Sequence, residues 1–292
     1  MIYNNFVIDR FDRFGDLKLN REVFGRFSKL IKEKTGIFFD LSKMYFLETR
    51  LKKRMKEREI KNFLDYLVLL ETDYTDREFK ELLNEITVQE TSFFRINPHF
   101  KTFSTYVMPD LISRKRNSDA GFLSFLSAGC SSGQEAYSIA FSVFESKKPI
   151  PPHWDFSVVG VDISTKAIES ARAGVYQNSE ISRLPERIVA RFFEKTEKGF
   201  KVKDFVRNKM MFRYANLFKE EDLRVSGQFD VIFCRYVLIY LEENAKKKVI
   251  DNLFKILNPG GFLFVAPSES YNVSDRFARV IYGDSVLFQK PF

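Results

Sequence analysis

The stretch FLSFLSAGCSSGQEAYSIA at residues 122–140 decides the fold of the carboxyl-terminal part of this chain. It begins with a short apolar run, Phe122 to Ala128, which is typical of a buried strand. Gly129 and Gly133 then enclose a tight loop, after which the apolar spacing becomes helical. A strand, a glycine loop and a helix in this order predict a parallel sheet covered by helices, with ligands bound at the carboxyl edge of the strands.

Further short apolar runs follow this stretch and alternate with helical patterns, which predicts an α/β fold. The predicted strands are Phe122 to Ala128, Phe156 to Val161, Met211 to Ala215, Phe229 to Cys234 and Phe262 to Ala266. The turn NPGG at Asn258 to Gly261 separates the last helix from the last strand. Within residues 176–210, alternating apolar residues flank a turn at Lys198 and Gly199 and predict a small antiparallel excursion.

Residues 21–112 have helical apolar spacing throughout, which predicts an all-α domain before the sheet. Gly36 is placed to end the first helix. The polar stretch RKRNSDAG, Arg114 to Gly121, separates the two parts. We therefore expect an amino-terminal extension at residues 1–20, a helical domain at 21–112 and a sheet domain at 113–292.

The composition narrows the class of protein. In a chain of 292 residues, 45% apolar content predicts a folded protein with a sizeable core. Only Cys130 and Cys234 are cysteines, too few for a disulfide framework or a zinc cluster. We find no signal peptide and no apolar run long enough to span a bilayer, so we expect a cytoplasmic protein. The net charge of +8 favours an acidic partner without identifying it.

The glycine loop favours a methyl donor over a dinucleotide. Its pattern is not GxGxxG, and S-adenosylmethionine lacks the pyrophosphate that this fingerprint accommodates. Glu135, just inside the following helix, either binds the ammonium group of the donor or stabilises the helix N-terminus. Asp162 ends the second predicted strand, where a carboxylate reaches ribose hydroxyls; alternatively, Asp162 or Ser164 caps the next helix.

Two further segments contain candidate site residues. In FDVIFCRYVLIYLEE, residues 229–243, Arg235 to Tyr240 lie just past a buried strand and therefore overhang the ligand cleft. In ITVQETSFFRINPHF, residues 86–100, the functional interpretation assigns Thr91 and Arg95 to the site. The alternative makes the two phenylalanines a hydrophobic staple between domains and Arg95 a surface cation.

Seven motifs at matching spacing resemble the CheR-type family of chemoreceptor protein-glutamate methyltransferases. They are TVQETSFFR, SAGCSSGQEAYSIA, VGVDIS, ARAGVY, YANLF, FDVIFCRYVLIY and NPGGFLFVAPSES, and they extend across about residues 20 to 290. The resemblance implies a Rossmann-like methyltransferase domain with a mostly parallel sheet and helices on both faces. It also implies a small antiparallel β-subdomain at about residues 176–210 and a preceding all-α domain.

The family resemblance also implies an activity and a set of site residues. The implied reaction transfers a methyl group from S-adenosylmethionine to receptor glutamates, forming methyl esters and S-adenosylhomocysteine, without a metal. Arg95 and Tyr240 would face the methyl transfer. The implied cofactor contacts are Gln89, Thr91, Arg95, Glu135, Asp162, Asn216, Leu217, Arg235 and Tyr236.

The chain departs from the family pattern at two places. Tyr236 stands where the CRNVMIY pattern usually has Asn, and this ring is expected to reshape the adenosine side of the pocket. APSES, Ala266 to Ser270, replaces a common Gly-His before Ser-Glu. Pro267 removes a backbone donor and fixes φ, so we expect the loop after the last predicted strand to differ.

A glutamate nucleophile suits a site that has no general base. Its reference pKa of about 4.3 means that the carboxylate is already ionised at neutral pH, whereas a lysine at about 10.4 must first lose a proton. The chain has only two histidines, His99 and His153, and both are interpreted as ordinary packing or surface residues.

The family resemblance implies that a basic amino-terminal helix docks on the glutamate-bearing cytoplasmic helices of a chemoreceptor, and the stretch RLKKRMKEREIK, Arg50 to Lys61, is the candidate for it. An ordinary solvated face is the alternative. We expect a monomer that binds no nucleic acid and does not insert into membranes. Two other functions compete: a non-catalytic module that binds S-adenosylmethionine, and an RNA methyltransferase, which the basic charge favours but for which no aromatic RNP motif or zinc knuckle is found.

Overall fold

A computed structural model describes residues 17–115, 121–224, 227–273 and 275–292. Most of the predicted extension at residues 1–20 and the middle of the polar stretch at 114–121 lie outside these ranges. The chain divides into two compact units, the first formed by the described part of Met1–Glu33 with Phe38–Ile86 and the second by Lys34–Ile37 with the described part of Thr87–Phe292.

The first unit is a bundle of helices, as the sequence predicts. Its helices are α1 (Arg21–Thr35), α2 (Met44–Glu57), α3 (Phe63–Thr72) and α4 (Arg77–Ile86). Asn62 caps α3 by accepting a hydrogen bond from the Asp65 N–H at 2.9 Å. Leu47, Leu51 and Leu82 are fully buried, because apolar residues every third or fourth position place one stripe of each helix in the core.

The basic stretch at Arg50–Lys61 is not a uniform cationic face. Helix α2 ends at Glu57, so the last four residues of the stretch lie beyond it. Arg54 is buried and donates two hydrogen bonds of 3.0 Å to the carboxylate of Glu78, which also accepts one from the Tyr66 hydroxyl. The expectation that the whole stretch presents its charge to a partner is therefore wrong for Arg54, because its guanidinium is buried and paired with Glu78 inside the first unit.

In its described residues, the second unit has ten strands. They are β1 (Phe122–Ala128), β2 (Asp155–Asp162), β3 (Val175–Tyr176), β4 (Phe193–Thr196), β5 (Gly199–Val202), β6 (Met210–Tyr214), β7 (Phe229–Cys234), β8 (Leu257–Val265), β9 (Ala278–Tyr282) and β10 (Ser285–Gln289). Its helices are α5 (Asn97–Thr102), α6 (Met108–Lys115), α7 (Gln134–Phe144), α8 (Thr165–Ala173), α9 (Asn178–Ile181), α10 (Glu186–Phe192), α11 (Asp204–Arg207), α12 (Glu220–Arg224) and α13 (Glu243–Ile256), with a π turn joining α5 to α6.

Seven strands form one sheet in the order β6-β2-β1-β7-β8-β10-β9. The first five are parallel, and the β9–β10 hairpin joins antiparallel to β8. β3, β5 and β4 form the separate antiparallel sheet that the sequence predicts between the second and third of its strands. The predicted mostly parallel α/β fold is therefore confirmed, with β9 and β10 added to it.

Helices cover both faces of the large sheet because its central strands have apolar residues on both faces. Phe125 and Phe233 face one cluster, which contains residues of α5, α6 and α7. Leu126 and Ile232 face the other cluster, which contains α13. Residues 87–112 thus pack on the sheet, and by contacts the chain divides after Ile86 rather than at residue 112.

The short segment Lys34–Ile37 belongs to the second unit. The Lys34 carbonyl accepts a hydrogen bond of 2.8 Å from the Asn216 amide, and the Gly36 carbonyl accepts one of 3.0 Å from the Glu242 N–H. Gly36 directly follows α1, as predicted, and its φ is +76°. A Cβ there would lie 2.7 Å from the Ala245 Cβ, so the close approach requires glycine.

Candidate cofactor and active site

Four neighbouring parallel strands bring predicted site residues to one edge of the sheet. The loop Gly129–Gly133 follows β1, Asp162 ends β2, Asn216 lies just past β6 and Arg235 directly follows β7. Strand order reverses between β1 and β7, because the chain adds β2 and β6 on one side of β1 and then returns to the other. Ligands bind at such a switch point in open α/β sheets.

The glycine loop is held tightly to the sheet edge. The N–H groups of Gly129 and Cys130 both donate to the Val161 carbonyl, at 2.8 and 2.9 Å. Gly129 has a φ of +79°, and a Cβ there would lie 2.4 Å from a methyl carbon of Val237. The first glycine is therefore required both by its backbone conformation and by the close approach of the segment after β7.

Asp162 connects the ends of β1 and β2. Its buried carboxylate accepts hydrogen bonds of 2.8 Å from the N–H groups of Ser131 and Ser164. Burial raises the pKa of Asp162, and these two N–H donors oppose the shift. The side chain that caps α8 is that of Ser164, which accepts from the Ala167 N–H at 3.2 Å. Asp162 shapes the loop and is not the helix cap.

Glu135 and Arg235 form a buried ion pair. Arg235 Nε donates to Glu135 Oε2 at 2.7 Å, while the Ser127 hydroxyl donates to Oε1 at 2.6 Å. Arg235 also donates from Nη1 to the Arg95 carbonyl at 2.6 Å, and its guanidinium lies 4.8 Å from the centre of the Phe100 ring. Two residues that the resemblance assigns separately to the cofactor thus bind each other.

The segment after α4 crosses the same edge. The Gln89 carbonyl oxygen Oε1 accepts a hydrogen bond of 2.7 Å from the Ser131 hydroxyl, and its Nε2 donates to the Thr87 hydroxyl at 2.9 Å. Thr91 is half-buried nearby in sequence. Gln89 therefore lies beside the glycine loop.

Phe93 and Phe94 pack within the second unit. The Phe93 ring is buried and meets the Tyr176 ring edge-to-face at 4.9 Å between centroids. The Phe94 N–H donates to the Ser138 hydroxyl at 2.9 Å. Both phenylalanines therefore serve packing, but inside the second unit and not as the staple between domains of the alternative interpretation. Arg95 directly follows this packed pair in sequence.

Arg95 lies on an aromatic ring. Its guanidinium carbon is 3.7 Å from the centre of the Tyr236 ring, and Nη1 donates to the Glu90 carbonyl at 2.8 Å. A cation over an aromatic face is attracted by the ring quadrupole. Arg95 is therefore held by two contacts at the sheet edge, and the interpretation of a free surface cation does not apply.

Glu269 is a site residue that the sequence reasoning missed. Its side chain is fully buried and accepts hydrogen bonds from the N–H groups of Tyr236 at 2.8 Å and of Ile239 and Ala266 at 3.2 Å. Burial raises its pKa, and these donors oppose the shift. Pro267 begins a short 3₁₀ helix, where a missing N–H costs nothing. An acidic residue directly after an apolar strand at this edge was the available signal.

Tyr240 lies at the end of the segment that follows β7 and is 39% exposed. Burial and the negative charge of Glu90 raise the pKa of its hydroxyl, and the positive charge of Arg95 opposes this. The hydroxyl therefore keeps its proton at neutral pH and can donate a hydrogen bond to a carboxylate.

The polar atoms of Asn216 are used inside the fold. Its amide nitrogen donates to the Lys34 carbonyl at 2.8 Å, and its amide oxygen accepts from the Phe218 N–H at 3.1 Å. The Leu217 carbonyl accepts from the Asn252 amide at 3.0 Å. Asn216 and Leu217 thus lie just past the end of β6, and both hydrogen-bonding groups of the Asn216 amide have partners within the second unit.

Burial disfavours the charged forms of the cysteine and histidine side chains in the core. Burial raises the pKa values of the Cys130 and Cys234 thiols and lowers that of His99, whose ring packs edge-to-face on Phe264, to about 4. Among the residues that the structure describes, no group of three or more His, Cys, Asp or Glu could bind a metal ion. Across the same ranges, every helix is too short or too polar to cross a bilayer.

Comparison with known proteins identifies the family. Residues 89–285 match the family model described as CheR methyltransferase, SAM binding domain, and residues 22–87 match CheR methyltransferase, all-alpha domain. Chemotaxis protein methyltransferase 2 of Vibrio cholerae is 30% identical over 276 residues, covering 92% of each chain. The enzyme of Vibrio parahaemolyticus is 31% identical, covering 94% of this chain and 98% of its own.

The chemotaxis protein methyltransferase of Escherichia coli is 30% identical over 264 residues, covering 89% of this chain and 88% of its own. Among solved structures, magnesium protoporphyrin IX methyltransferase of Synechocystis with bound SAM is similar over 76% of this chain, at 15% identity and a TM-score of 0.36. The two family models together span both units, and the chain belongs to the CheR family of S-adenosylmethionine-binding methyltransferases.

Proposed function

We propose that this chain transfers a methyl group from S-adenosylmethionine to glutamate carboxylates of chemoreceptors, forming methyl esters and S-adenosylhomocysteine. The observation that carries this proposal is Arg95, held on the Tyr236 ring at the sheet edge that contains the glycine loop and Asp162. A guanidinium binds a carboxylate through two parallel hydrogen bonds. The names of the relatives support a chemotaxis receptor as the protein that supplies this carboxylate.

The residues at this edge fit the donor. The carboxylates of Asp162 and Glu135 have lone pairs beyond those that protein donors use, and these suit ribose hydroxyls and an ammonium group. S-adenosylmethionine supplies an electrophilic methyl group on a positively charged sulfur. The donor contacts that we propose are Gln89, Thr91, Arg95, Glu135, Asp162, Asn216, Leu217, Arg235 and Tyr236.

The protein contributes alignment and electrostatics to this reaction. A glutamate with a pKa of about 4.3 arrives ionised, so no base is required. Arg95 orients it, and the protonated Tyr240 hydroxyl supplies a further donor to the carboxylate.

Transfer of label from tritiated S-adenosylmethionine to a receptor fragment tests the proposal. We expect incorporation that mild alkali releases as methanol, because carboxyl methyl esters are base-labile whereas methylated lysines and RNA bases are not. Replacing the acceptor glutamates of the fragment by alanine should abolish incorporation. Binding of the donor without transfer, or alkali-stable label, would overturn the proposal.

We expect Asp162→Asn to weaken S-adenosylhomocysteine binding by about 1–3 kcal/mol, because a charged hydrogen bond to ribose becomes a neutral one. The asparagine retains one acceptor oxygen and the shape of the side chain. Isothermal titration calorimetry measures the affinity, and the unfolding temperature shows whether the loop has kept its structure.

Ser164→Ala is the matched control for Asp162→Asn. It removes the α8 cap and should lower stability by about 1 kcal/mol while leaving S-adenosylhomocysteine affinity unchanged. If Asp162→Asn lowers stability alone, as the control does, the ribose contact is wrong and Asp162 only shapes the loop.

We also propose that the exposed cations of Arg50–Lys61 dock a monomer of this chain on cytoplasmic receptor helices. Lys56 and Lys61 are exposed, whereas Arg54 is buried. The two lysines are therefore the residues to reverse in charge. The Lys56→Glu/Lys61→Glu variant should raise KM for receptor at least about tenfold at low salt and leave S-adenosylhomocysteine affinity unchanged.

The docking test requires a control for net charge. Lys147→Glu/Lys247→Glu changes the charge by the same amount at exposed positions of the second unit. Equal effects of the two double variants would mean that overall charge attracts the receptor, and the docking proposal would then fail. Sedimentation of the wild type at the assay concentration checks the monomer.

A further inference from the structure

Tyr236 has a backbone conformation that aromatic residues rarely adopt. Its φ is +59°, in the left-handed region that glycine and asparagine tolerate best. The family pattern usually has Asn at this position, whereas this chain has a residue that is less suited to the backbone. The backbone conformation gives no reason for an aromatic side chain at this position. The role of the tyrosine therefore lies in the contacts that its ring makes.

The ring contacts Arg95. The guanidinium carbon is 3.7 Å from the ring centre, within the range of a cation–π interaction. Two further contacts restrict the arginine: Nη1 donates to the Glu90 carbonyl, and the Arg95 carbonyl accepts from Arg235. The guanidinium is thus fixed along one edge and over one face. A guanidinium has five N–H donors, and the Glu90 carbonyl accepts from Nη1 alone, which leaves donors for a carboxylate.

Glu269 fixes the ring in turn. Its fully buried carboxylate accepts from the N–H of Tyr236 at one end of residues 236–240 and from the N–H of Ile239 near the other. The same carboxylate accepts from Ala266, which follows β8. The ring therefore stands on a backbone that is tied to two neighbouring strands of the sheet, β7 and β8.

We infer that Tyr236 is a positioning residue whose ring sets the plane of the Arg95 guanidinium, and that Glu269 holds this ring in place. The inference rests on the proposed function, in which Arg95 aligns the attacking carboxylate. Forked hydrogen bonds require the carboxylate to lie in the plane of the guanidinium, so a tilt of that plane misdirects the nucleophile. Tyr236 would act on the reaction through Arg95, without touching the transferred methyl group.

The test compares Tyr236→Asn with Tyr236→Phe in single-turnover methyl transfer to a receptor fragment at saturating donor. Asn suits the left-handed backbone better but removes the ring, so the rate should fall by roughly tenfold without loss of thermal stability. Phe keeps the ring and should stay within about threefold of the wild type. A merely structural role predicts the opposite order, with Asn at least as good as Phe.

A double variant shows whether the effect passes through Arg95. In an Arg95→Lys background, Tyr236→Asn should cause little further loss, because coupled residues are not additive. Full additivity, or a Tyr236→Asn enzyme as fast as the wild type, would overturn the inference while leaving the proposed function intact. If the wild type itself gives no alkali-labile label, the proposed function fails first, and this inference fails with it.

Glu269→Gln tests the support beneath the ring. It places an amide N–H₂ against backbone N–H donors, so we expect a loss of rate similar to that of Tyr236→Asn, accompanied by a lower unfolding temperature. A Glu269→Gln enzyme with the wild-type rate would show that the ring holds its position without this carboxylate, and the second half of the inference would be wrong.

Discussion

The Arg95→Lys variant is expected to transfer methyl groups at least about 100-fold more slowly than the wild type, because misplacing the nucleophile by a fraction of an ångström has effects of this size. Lysine keeps the positive charge but has no planar fork, so it cannot form two parallel hydrogen bonds to a carboxylate. It also cannot lie flat on the Tyr236 ring while donating to the Glu90 carbonyl, as Arg95 does.

Single-turnover rates at saturating donor and receptor measure this effect separately from binding. Arg279→Lys is the matched control, because it makes the same arginine-to-lysine change at an exposed position on the edge strand β9. This variant should transfer methyl groups at the wild-type rate. If Arg95→Lys equals this control, Arg95 supplies only charge, and Tyr240 becomes the leading candidate for alignment.

The Arg54→Met variant is expected to lower the free energy of unfolding of the helical unit by about 3–5 kcal/mol, because it removes the buried cation that donates two hydrogen bonds to the buried Glu78 carboxylate. The half-exposed Arg58, whose Nε lies 3.4 Å from the same carboxylate, is then the remaining cation of this cluster. Both nitrogen contacts from Arg54 to Glu78 are 3.0 Å, and side-chain exposure is 6% for the arginine and 5% for the glutamate. A carboxylate this deeply buried cannot regain water when its partner is lost.

Two comparisons isolate the buried pair. Arg54→Met/Glu78→Gln removes both charges, keeps an acceptor for the Tyr66 hydroxyl, and should be more stable than Arg54→Met alone. Lys53→Met breaks an ion pair in which the lysine side chain is 51% exposed and the Glu85 side chain 7% exposed, and it should cost less than Arg54→Met. Urea unfolding with hydrogen exchange of residues 44–86 measures all three. An Arg54→Met protein as stable as Lys53→Met would refute the buried-charge argument.

The sequence predicted the five parallel strands well because continuous apolar runs between helical patterns have few alternative folds. The β9–β10 hairpin escaped prediction because its strand β9 lies at the sheet edge with most side chains exposed, so no buried run marks it. The NPGG turn proved to lie inside β8, where Gly260 bends the strand at a φ of +69°.

The sequence predicted that the site lies at the carboxyl edge of the parallel strands, but it did not predict which side chains pair with each other there. Motif spacing located Asp162, Glu135 and Arg235, but pairing between the last two depends on side chains 100 residues apart. Likewise, the sequence pattern predicted an exposed cation at Arg54, because a pattern of charges along one helix gives no information about a carboxylate on another helix. That carboxylate is Glu78 of α4. Glu269 was missed since its partners are backbone N–H groups, which every residue type except proline provides.

The segment Lys34–Ile37 makes the catalytic unit discontinuous in sequence, and this limits how such a gene can be recombined. A crossover between relatives near residue 87 would exchange the bundle together with residues 34–37, in which the Lys34 and Gly36 carbonyls accept hydrogen bonds from Asn216 and Glu242. Each unit would keep its own core. The loop after β6 and the start of α13, however, would contact residues 34–37 of the other relative. Exchange of the bundle in evolution therefore requires compatible residues at 34–37, so the two family domains are expected to be inherited together.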